Sequence, residues 1–463
     1  MKILLVNPSW KEIYESTKIK AGVPYSPVLS LAVIAAPLLE DKHEVKIIDL
    51  NLFGDPDTSF REMLEEFKPD YVGITFTTSL YSQMVKIAKL AKDFNQNVTV
   101  IGGGAHSSTF PEETLKSSSL DIAVVGEGDF TLREIVSGKD KKEIKGISYK
   151  EGDKILSNPR RDNIANLDDL PYPAWKLYQL EKYKTTGLVA KLNPAGWLET
   201  SRGCIYECPY CNKGIFGNRF RVKSPKRVVS EIEYMLDAGF KEIHIADDCF
   251  STDLKRAKDI CDGIIEKGLK FPWSTLTGIR VDKVDEELLE KMAKAGCYRV
   301  YFGIESGSQK VLDSIHKKFK LDQAEKAVKL AKKAGMEVYG FFMIGLPDEE
   351  EEDMKKTIEF AKKLDLDIVK MSITIPIPGS PLFNDLNKSG LIKTKDWSKF
   401  NLYAIPEDIY DHPRLSWEII NKYYNKFYRA FYFRPGFIFK RFMKGLLSGT
   451  MLDDIKHFFQ TKW

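Results

Sequence analysis

Three cysteines lie within eight residues of one another in this chain of 463 residues, at Cys204, Cys208 and Cys211. The spacing is Cys-x3-Cys-x2-Cys, and Gly203 and Pro209 allow the loop to turn so that its thiols converge. Three thiolates in one loop suit a four-iron four-sulfur cluster whose fourth iron stays open for a small ligand. Two alternatives are a zinc site, for which no Cys or His supplies the usual fourth ligand at a suitable spacing, and a set of buried thiols without metal.

The composition excludes several classes of protein. Half of the six cysteines lie in that one loop, which argues for metal binding in a reducing compartment and against a disulfide framework. A net charge of +4 is small for this length and gives no reason to expect a nucleic-acid partner. No apolar run approaches the roughly 18 residues of a membrane-spanning helix, and the first residues lack the apolar region of a signal peptide. We therefore expect a cytoplasmic protein.

Residues 1–135 alternate short apolar strands with helices, which predicts an α/β domain with a doubly wound parallel sheet. Ligands of such sheets lie beyond the carboxyl ends of the strands. Glycines at those ends either let a large or phosphate-bearing ligand approach the backbone or only make tight turns. The candidate ligand-binding residues at the predicted strand ends are Thr75, Gly102, Gly103, Gly104, Gly126 and Glu127.

A second domain follows a polar linker, residues 136–180, in which a hairpin is predicted around 151–153. Residues 181–394 again alternate strands and helices, at a spacing that predicts a partial (β/α)6 barrel, with its sixth strand at 373–377. Barrel sites form at the carboxyl ends of the strands. Besides the cysteines, the candidates at those ends are Tyr210, Asp247, Asp248, Arg280, Glu305, Ser306 and Gly345.

The cysteine motif, with the aromatic Tyr210 before its last cysteine, resembles that of the radical S-adenosylmethionine (SAM) superfamily. The strand ends at 73–75, 102–106 and 125–128 resemble the cobalamin-binding domain found upstream of the barrel in many members of that family. The resemblance covers about residues 1–390. It implies that the three cysteines hold a four-iron four-sulfur cluster, whose open iron binds SAM and whose electron cleaves it to a 5′-deoxyadenosyl radical.

The resemblance also implies cobalamin as a cofactor of the first domain. The Asp-x-His-x-x-Gly signature that supplies a lower axial histidine in several cobalamin enzymes is absent. His106, which follows the glycines at 102–104, is expected to be a hydrogen-bonding loop residue and not a cobalt ligand.

The polar residues of the barrel have different expected roles. Of Asp247 and Asp248, we expect one to bind the amino group or ribose of SAM and the other to cap the helix that begins near Thr252. Arg280 either pairs bidentately with a substrate carboxylate or is a surface arginine.

The later strand ends complete the predicted site. Glu305 and Ser306 are placed to meet the ribose hydroxyls, and Gly345 allows the backbone to lie near the adenine edge. Of the remaining cysteines, Cys249 is a candidate for a role in the site because it follows the acidic pair. Cys261 and Cys297 are expected to be buried thiols.

Residues 395–463 leave the barrel pattern and are predicted to form a helical extension. Aromatic residues between 423 and 442 alternate with lysine and arginine, and Pro435-Gly436 divides the segment. A basic amphipathic helix of this kind either lies on a membrane surface or packs its rings over the barrel. Peripheral contact with the inner face of a membrane would fit a lipid-like substrate.

These features predict a cobalamin-dependent radical SAM methyltransferase that acts on an unactivated carbon of a small-molecule or lipid-like substrate. Its electrons would come from an external donor such as flavodoxin or ferredoxin. One alternative is a radical SAM oxidative cyclase, rearrangement or carbon–carbon bond-forming enzyme, which the mass of the product distinguishes. Another is a non-catalytic cobalamin- or cluster-binding sensor, which would not accumulate 5′-deoxyadenosine on reduction.

Overall fold

The computed structural model describes residues 1–15, 25–401 and 404–448. The strands of the first sheet are β1 (Lys2–Asn7), β2 (Glu44–Asp49), β3 (Tyr71–Thr75), β4 (Thr99–Gly103), β5 (Ile122–Val124), β6 (Ile147–Glu151) and β7 (Lys154–Ser157). Their order is β2-β1-β3-β4-β5-β6-β7, parallel from β2 to β5 and antiparallel from β5 to β7. The predicted doubly wound sheet is confirmed.

Helices cover both faces of this sheet. They are α1 (Lys11–Glu15), α2 (Leu29–Glu40), α3 (Pro56–Phe67), α4 (Tyr81–Phe94), α5 (Ala105–Thr109), α6 (Pro111–Lys116) and α7 (Asp129–Val136). Strand β1, which lies between β2 and β3, alternates between two buried cores: Leu4 and Val6 pack with α3 and α4, and Ile3 and Leu5 pack with α2 and α7. This double burial explains why β1 is apolar at every position from 3 to 6.

The second sheet has six parallel strands and forms the open barrel. Its strands are β8 (Ala195–Leu198), β11 (Glu242–Ile245), β12 (Trp273–Ser274), β13 (Cys297–Glu305), β14 (Glu337–Ile344) and β15 (Ile368–Ile373). A separate hairpin consists of β9 (Ser201–Arg202) and β10 (Arg221–Val222). The helices are α8 (Pro225–Asp237), α9 (Leu254–Glu266), α10 (Glu286–Lys294), α11 (Gln309–Ser314), α12 (Leu321–Lys333), α13 (Glu351–Lys363), α14 (Pro381–Lys388), α15 (Trp417–Tyr432) and α16 (Pro435–Ser448). The strand order is β15-β14-β13-β12-β11-β8, so neighbours in sequence are neighbours in space.

Two expectations about the elements need adjustment. The sixth barrel strand is β15, which begins five residues before the predicted span 373–377 and shares only Ile373 with it. Pro376 and Pro378 lack the N–H that a paired strand requires, so that span cannot continue the ladder. The hairpin predicted in the linker forms as β6 and β7, and it extends the first sheet through residue 157. The division into segments 1–135, 136–180, 181–394 and 395–463 stays a prediction.

Helix α15 closes the outer edge of the barrel sheet. The Tyr428 hydroxyl donates to the Met371 carbonyl and accepts from the Met371 N–H, both at 3.0 Å. Tyr432 does the same with Val369, at 3.0 and 3.1 Å. Two tyrosine hydroxyls therefore satisfy backbone groups that an edge strand would leave open. The aromatic side chains of α15 pack over the barrel, as one of the two alternatives expected.

Helix α16 is different, because its large apolar side chains are exposed. They are Ile438, Phe439, Phe442, Met443 and Leu446. In the part of the chain that the structure describes, no helix has both the length and the hydropathy needed to cross a bilayer.

A buried cluster of charges joins the two sheets. The Arg202 guanidinium, on β9, lies 3.1 Å from Glu127 and 2.9 Å from Asp129 of the first domain, and 2.7 Å from Glu199. Arg221, on β10, approaches Glu127 at 2.8 Å. Arg202 is 3% exposed, so its carboxylate partners are held in a medium of low dielectric where a missing charge is costly.

We expect Arg202→Met to lower the free energy of unfolding by about 3–5 kcal/mol, because three carboxylates would lose their shared cation inside the protein. Urea titration of the apoprotein followed by circular dichroism measures this. Arg133→Met is the matched control: Arg133 also pairs bidentately with an aspartate, Asp41, but both side chains are about one-third exposed. Its loss of stability should be much smaller, because solvent screens an exposed ion pair. Equal losses for the two variants would contradict a special role for the buried cluster.

Candidate active site

The cysteine loop spans residues 203–220 and is closed at its base by the pairing of β9 with β10. Gly203 has φ +88°, and a Cβ at this position would lie 2.2 Å from the Arg219 carbonyl oxygen. Only glycine allows the two ends of the loop to approach this closely. The tight base sets the direction in which the cysteine-bearing segment leaves the sheet.

Asp247 anchors the start of the loop. One of its oxygens accepts the N–H groups of Thr200 at 2.6 Å and Ser201 at 3.1 Å, and the other accepts both hydroxyls, at 2.5 and 2.6 Å. The side chain is buried, and all four of its acceptor positions are used. Asp247 therefore positions the loop and has no free oxygen for a ligand. The expected helix cap is also supplied elsewhere: Asp253 caps α9 through the Arg256 N–H.

Two of the three thiols meet in the structure. The Cys211 thiol hydrogen-bonds to Cys208, and this contact, together with the Lys317 ammonium and the Tyr210 hydroxyl, lowers the pKa of Cys208 to about 6. Cys204 lies in the same loop, near Asp248 and Cys249, and burial raises the pKa of its thiol. Within the described residues no three His, Cys, Asp or Glu side chains converge at metal-ligand distance. The donor set nevertheless fits an iron–sulfur cluster, because three thiols lie in one loop and one of them has thiolate character.

The loop is held against the first domain. The Asn212 side chain donates to Thr109 Oγ1 at 2.9 Å and to the Pro378 carbonyl at 2.7 Å. Arg160 donates to the Gly214 carbonyl at 2.6 Å. Thr109 lies on α5, directly after the glycines that end β4. The carboxyl ends of both sheets therefore face one interface, with the cysteine loop between them.

Asp248 and Glu305, in the barrel, are the acids that remain candidates for binding a ligand. Asp248 accepts the Gly203 N–H at 3.1 Å and is exposed to solvent on one side. The protein atoms around it still desolvate the carboxylate in part and raise its pKa. Glu305 pairs with Lys317 Nζ at 2.8 Å and has φ +65°, a left-handed conformation that is rare for a residue with a side chain. Backbone strain of this kind is concentrated at functional sites.

Arg280 is neither free for a substrate nor on the surface. It is 6% exposed, pairs with Asp282 at 2.8 and 3.1 Å, and donates to the Lys317 carbonyl. Its guanidinium lies 3.7 Å from the centroid of the Tyr206 ring, in the cysteine loop. Neither of the two alternatives for Arg280 describes the structure, because its bidentate partner is Asp282 and its guanidinium packs on Tyr206 and so supports the cysteine loop.

Ser306 and Gly345 also have structural partners. The Ser306 hydroxyl hydrogen-bonds to Thr357 of α13 at 3.1 Å and accepts the Ser308 N–H. Gly345 has φ +74°, and its N–H donates to Glu349 at 2.6 Å. Burial raises the pKa of Glu349 to about 8. Both residues therefore shape strand-end turns of the barrel.

The glycines of the first domain fall into two groups. A Cβ on Gly102 would lie 2.5 Å from Leu120, and one on Gly104 would lie 2.4 Å from the Phe76 carbonyl oxygen, so these two serve the fold itself. A Cβ on Gly103 would meet only Val124, at 3.9 Å, and one on Gly126 only the end of the Arg160 side chain. Gly103 and Gly126 therefore leave the backbone accessible, as a large planar ligand requires.

The other candidates of the first domain are divided in the same way. Thr75, at the end of β3, is half-buried and remains accessible. Glu127 is buried against Arg202, Arg221 and the Ile164 N–H, so it joins the domains and has no acceptor position left for cobalamin. His106 accepts or donates a hydrogen bond with Thr78 at 3.1 Å inside an aromatic cluster, where burial lowers its pKa to about 4. It is the hydrogen-bonding residue that the sequence predicted.

Sequence reasoning missed two residues of the site. Lys317 follows α11 in a loop that no motif marks, and only the fold brings it to Cys208. Arg202 could have been identified from the sequence, because it is a charged residue near a predicted strand end and directly precedes Gly203 and the first cysteine. The other cysteines, Cys249, Cys261 and Cys297, are buried.

Comparison with known proteins agrees with this geometry. The model of the Radical SAM superfamily matches residues 198–361, and that of the B12 binding domain matches residues 22–136. The uncharacterized methyltransferase PH0819 of Pyrococcus horikoshii is 37% identical over 96% of this chain and 98% of its own length. The cytidylyl-2-hydroxyethylphosphonate methyltransferase of Streptomyces wedmorensis is 30% identical over 85% of this chain and 83% of its own.

One solved structure shows the same fold. It is the radical SAM methyltransferase TsrM of Kitasatospora setae with cobalamin and a 4Fe–4S cluster bound, with a TM-score of 0.69 and 20% identity over 84% of this chain and 75% of TsrM. The radical SAM domain implies a 4Fe–4S cluster and SAM, and the B12-binding domain implies cobalamin. The expected fold class, enzyme class and three cofactors are thus confirmed. This chain belongs to the radical SAM superfamily, among the members that carry a B12-binding domain.

Proposed function

We propose that this enzyme transfers a methyl group to an unactivated carbon of a small-molecule or lipid-like substrate. The observation that carries the proposal is the position of the cysteine loop, which Asn212 ties to Thr109 at the carboxyl edge of the B12-binding domain. A substrate at that interface would meet groups from both domains. Two methyltransferases are 37% and 30% identical to this chain, whereas a magnesium-protoporphyrin IX monomethyl ester cyclase that spans 98% of it is 26% identical. The higher identity supports methyl transfer over cyclisation.

Cys204, Cys208 and Cys211 would hold the cluster, and Gly103, Gly126 and Thr75 would face the cobalamin. When bound, these groups supply the electron that cleaves SAM and the methyl group that is transferred. The chain's own task is to position the reactants. Asp248 would accept a hydrogen bond from the amino group or ribose of SAM.

On the opposite side of the loop, the Glu305 carboxylate would meet the ribose hydroxyls. Lys317 holds Glu305 in this orientation. Asp247 and Arg280 keep the loop in place without touching a ligand.

Electrons would come from an external donor such as flavodoxin or ferredoxin. The described residues contain no second cysteine cluster that could relay them. We further propose that the enzyme works in the cytoplasm at the inner face of a membrane, with α16 as the contact. Helix α16 carries three basic residues, no acidic residue and a row of exposed apolar side chains. Such a surface complements anionic lipid headgroups.

Anaerobically reconstituted protein should contain about four irons and one cobalt per chain. Reduction in the presence of SAM should yield 5′-deoxyadenosine, and a methylated product should gain one CH2 unit in mass. Cys208→Ala should lose iron and 5′-deoxyadenosine formation but keep cobalt, because its site lies in the other domain. Cys261→Ala, a buried thiol in α9, should keep all three. Iron without cobalt in the wild type would contradict the cobalamin part of the proposal and favour a radical enzyme of another kind.

The two acids at the end of β11 should behave differently on substitution. Asp248→Asn should weaken SAM binding roughly tenfold with iron retained, because one charge-assisted hydrogen bond is lost. Asp247→Asn should lose iron as well, since it releases the start of the cysteine loop. Equilibrium dialysis of SAM with an iron assay on each sample measures both. Unchanged SAM affinity in Asp248→Asn would remove this residue from the site.

The membrane proposal predicts cosedimentation of the wild type with phosphatidylglycerol vesicles and weaker binding to phosphatidylcholine vesicles. The double variant Phe439→Glu, Phe442→Glu should stay in the supernatant, because it removes exposed apolar area and adds repulsion. Ile265→Glu is the control, an exposed apolar residue of α9 that is 41% accessible. Equal binding by the double variant would show that α16 is not the contact.

A further inference from the structure

The inner face of the barrel contains a lysine without a counter-charge. On β15, Val369 and Met371 are buried in the core between the sheet and its helices. Side chains alternate along a strand, so Lys370 points to the opposite, inner face. Its cross-strand neighbour is Phe341, which in turn lies beside Gly303 of β13.

Lys370 is accessible to solvent, and the protein atoms around it partly desolvate its ammonium group, which lowers its pKa. No carboxylate of the described residues lies within the 4.0 Å of an ion pair. Lys317, which lies beside Cys208, is by contrast paired with Glu305 at 2.8 Å. A partly desolvated cation gains free energy when an anion joins it, so a lysine without an ion-pair partner among the described residues indicates a site for an acidic group.

Lys370, Phe341 and Gly303 form a row across three strands that leads toward the cysteine loop. Phe341 is half-buried, with its ring 5.5 Å from that of Tyr301. A Cβ on Gly303 would lie 3.0 Å from the Glu305 carboxylate and 3.6 Å from Lys317 Nζ, next to Cys208. Strands are spaced about 4.8 Å apart, so the backbone of Lys370 lies about 10 Å from that of Gly303, across two strand intervals.

We propose that the substrate is an organic acid, whose carboxylate or phosphate binds Lys370 while its apolar part lies against the Phe341 ring toward the cysteine loop. This inference rests on the proposed function, because it names the substrate class of that site. The acid would fix the orientation, and the apolar contact would supply most of the buried area.

The test uses protein reconstituted with cluster and cobalamin under anaerobic conditions. Three probes of one shape, 2-naphthoate, 2-naphthyl phosphate and neutral 2-naphthamide, are titrated by calorimetry. At least one acid should bind the wild type more tightly than the amide, and whichever does identifies the acidic group. Lys370→Met should weaken binding of that acid about tenfold or more and leave the amide unchanged. Lys370→Arg should retain the acid, and Lys388→Met, at an exposed position of α14, should match the wild type.

Equal binding of acid and amide to the wild type, or an unchanged affinity in Lys370→Met, would overturn the inference. Failure of both acids to bind the wild type would overturn it as well. Formation of 5′-deoxyadenosine on reduction is measured on the same samples. Its absence in all variants would refute the proposed function independently, because Lys370 has no part in holding the cluster or SAM.

Discussion

The arrangement of the two domains depends on one buried guanidinium. Arg202 contacts Glu127 and Asp129 of the first domain and Glu199 of the second, with 3% of its surface exposed. A buried charge is tolerated only when its partners are placed with good geometry, so this cluster fixes the orientation of the domains more tightly than apolar contact would. Cys204 follows two residues later. Two contacts therefore hold the cysteine loop against the first domain: the Arg202 ion pairs at its start and the hydrogen bond from Asn212 to Thr109.

The barrel supplies a second level of order, in which acids near the cysteines have separate tasks. Asp247 has four donors and serves the backbone, while its neighbour Asp248 has one and remains accessible. Asp247 is buried with four hydrogen-bond donors around it, whereas Asp248 is exposed to solvent, which explains how two like charges coexist there. Glu305 is neutralised by Lys317, and this pair offsets the strain of about 1–3 kcal/mol that a left-handed residue carries.

Sequence patterns predicted the elements and the edges on which the site lies, because periodicity and strand-end glycines are local signals. They could not predict which strand-end acid is free. That depends on Thr200 and Ser201, which are nearly fifty residues away from Asp247. The same limit applies to Glu127 and to the contact of Arg280 with the Lys317 carbonyl, whose partners are distant in sequence. Lys370 does not belong to any sequence motif either. Its candidate role depends on the alternation of β15 and on the absence of a partner among the described residues, and only the structure shows these.

The interior of the barrel has an electrostatic polarity that follows from the strand order. Asp248 follows β11 and Lys370 lies on β15, with β12, β13 and β14 between them. Glu305, at the end of β13, pairs with Lys317, and the two contribute no net charge. Asp248 therefore makes the β11 side negative, and Lys370 makes the β15 side positive. A cationic cosubstrate and an acidic substrate would be drawn to opposite sides, with their reacting atoms between. Exchanging the two ligands would place each next to a like charge, and this repulsion would discriminate against the wrong orientation without any shape-specific contact.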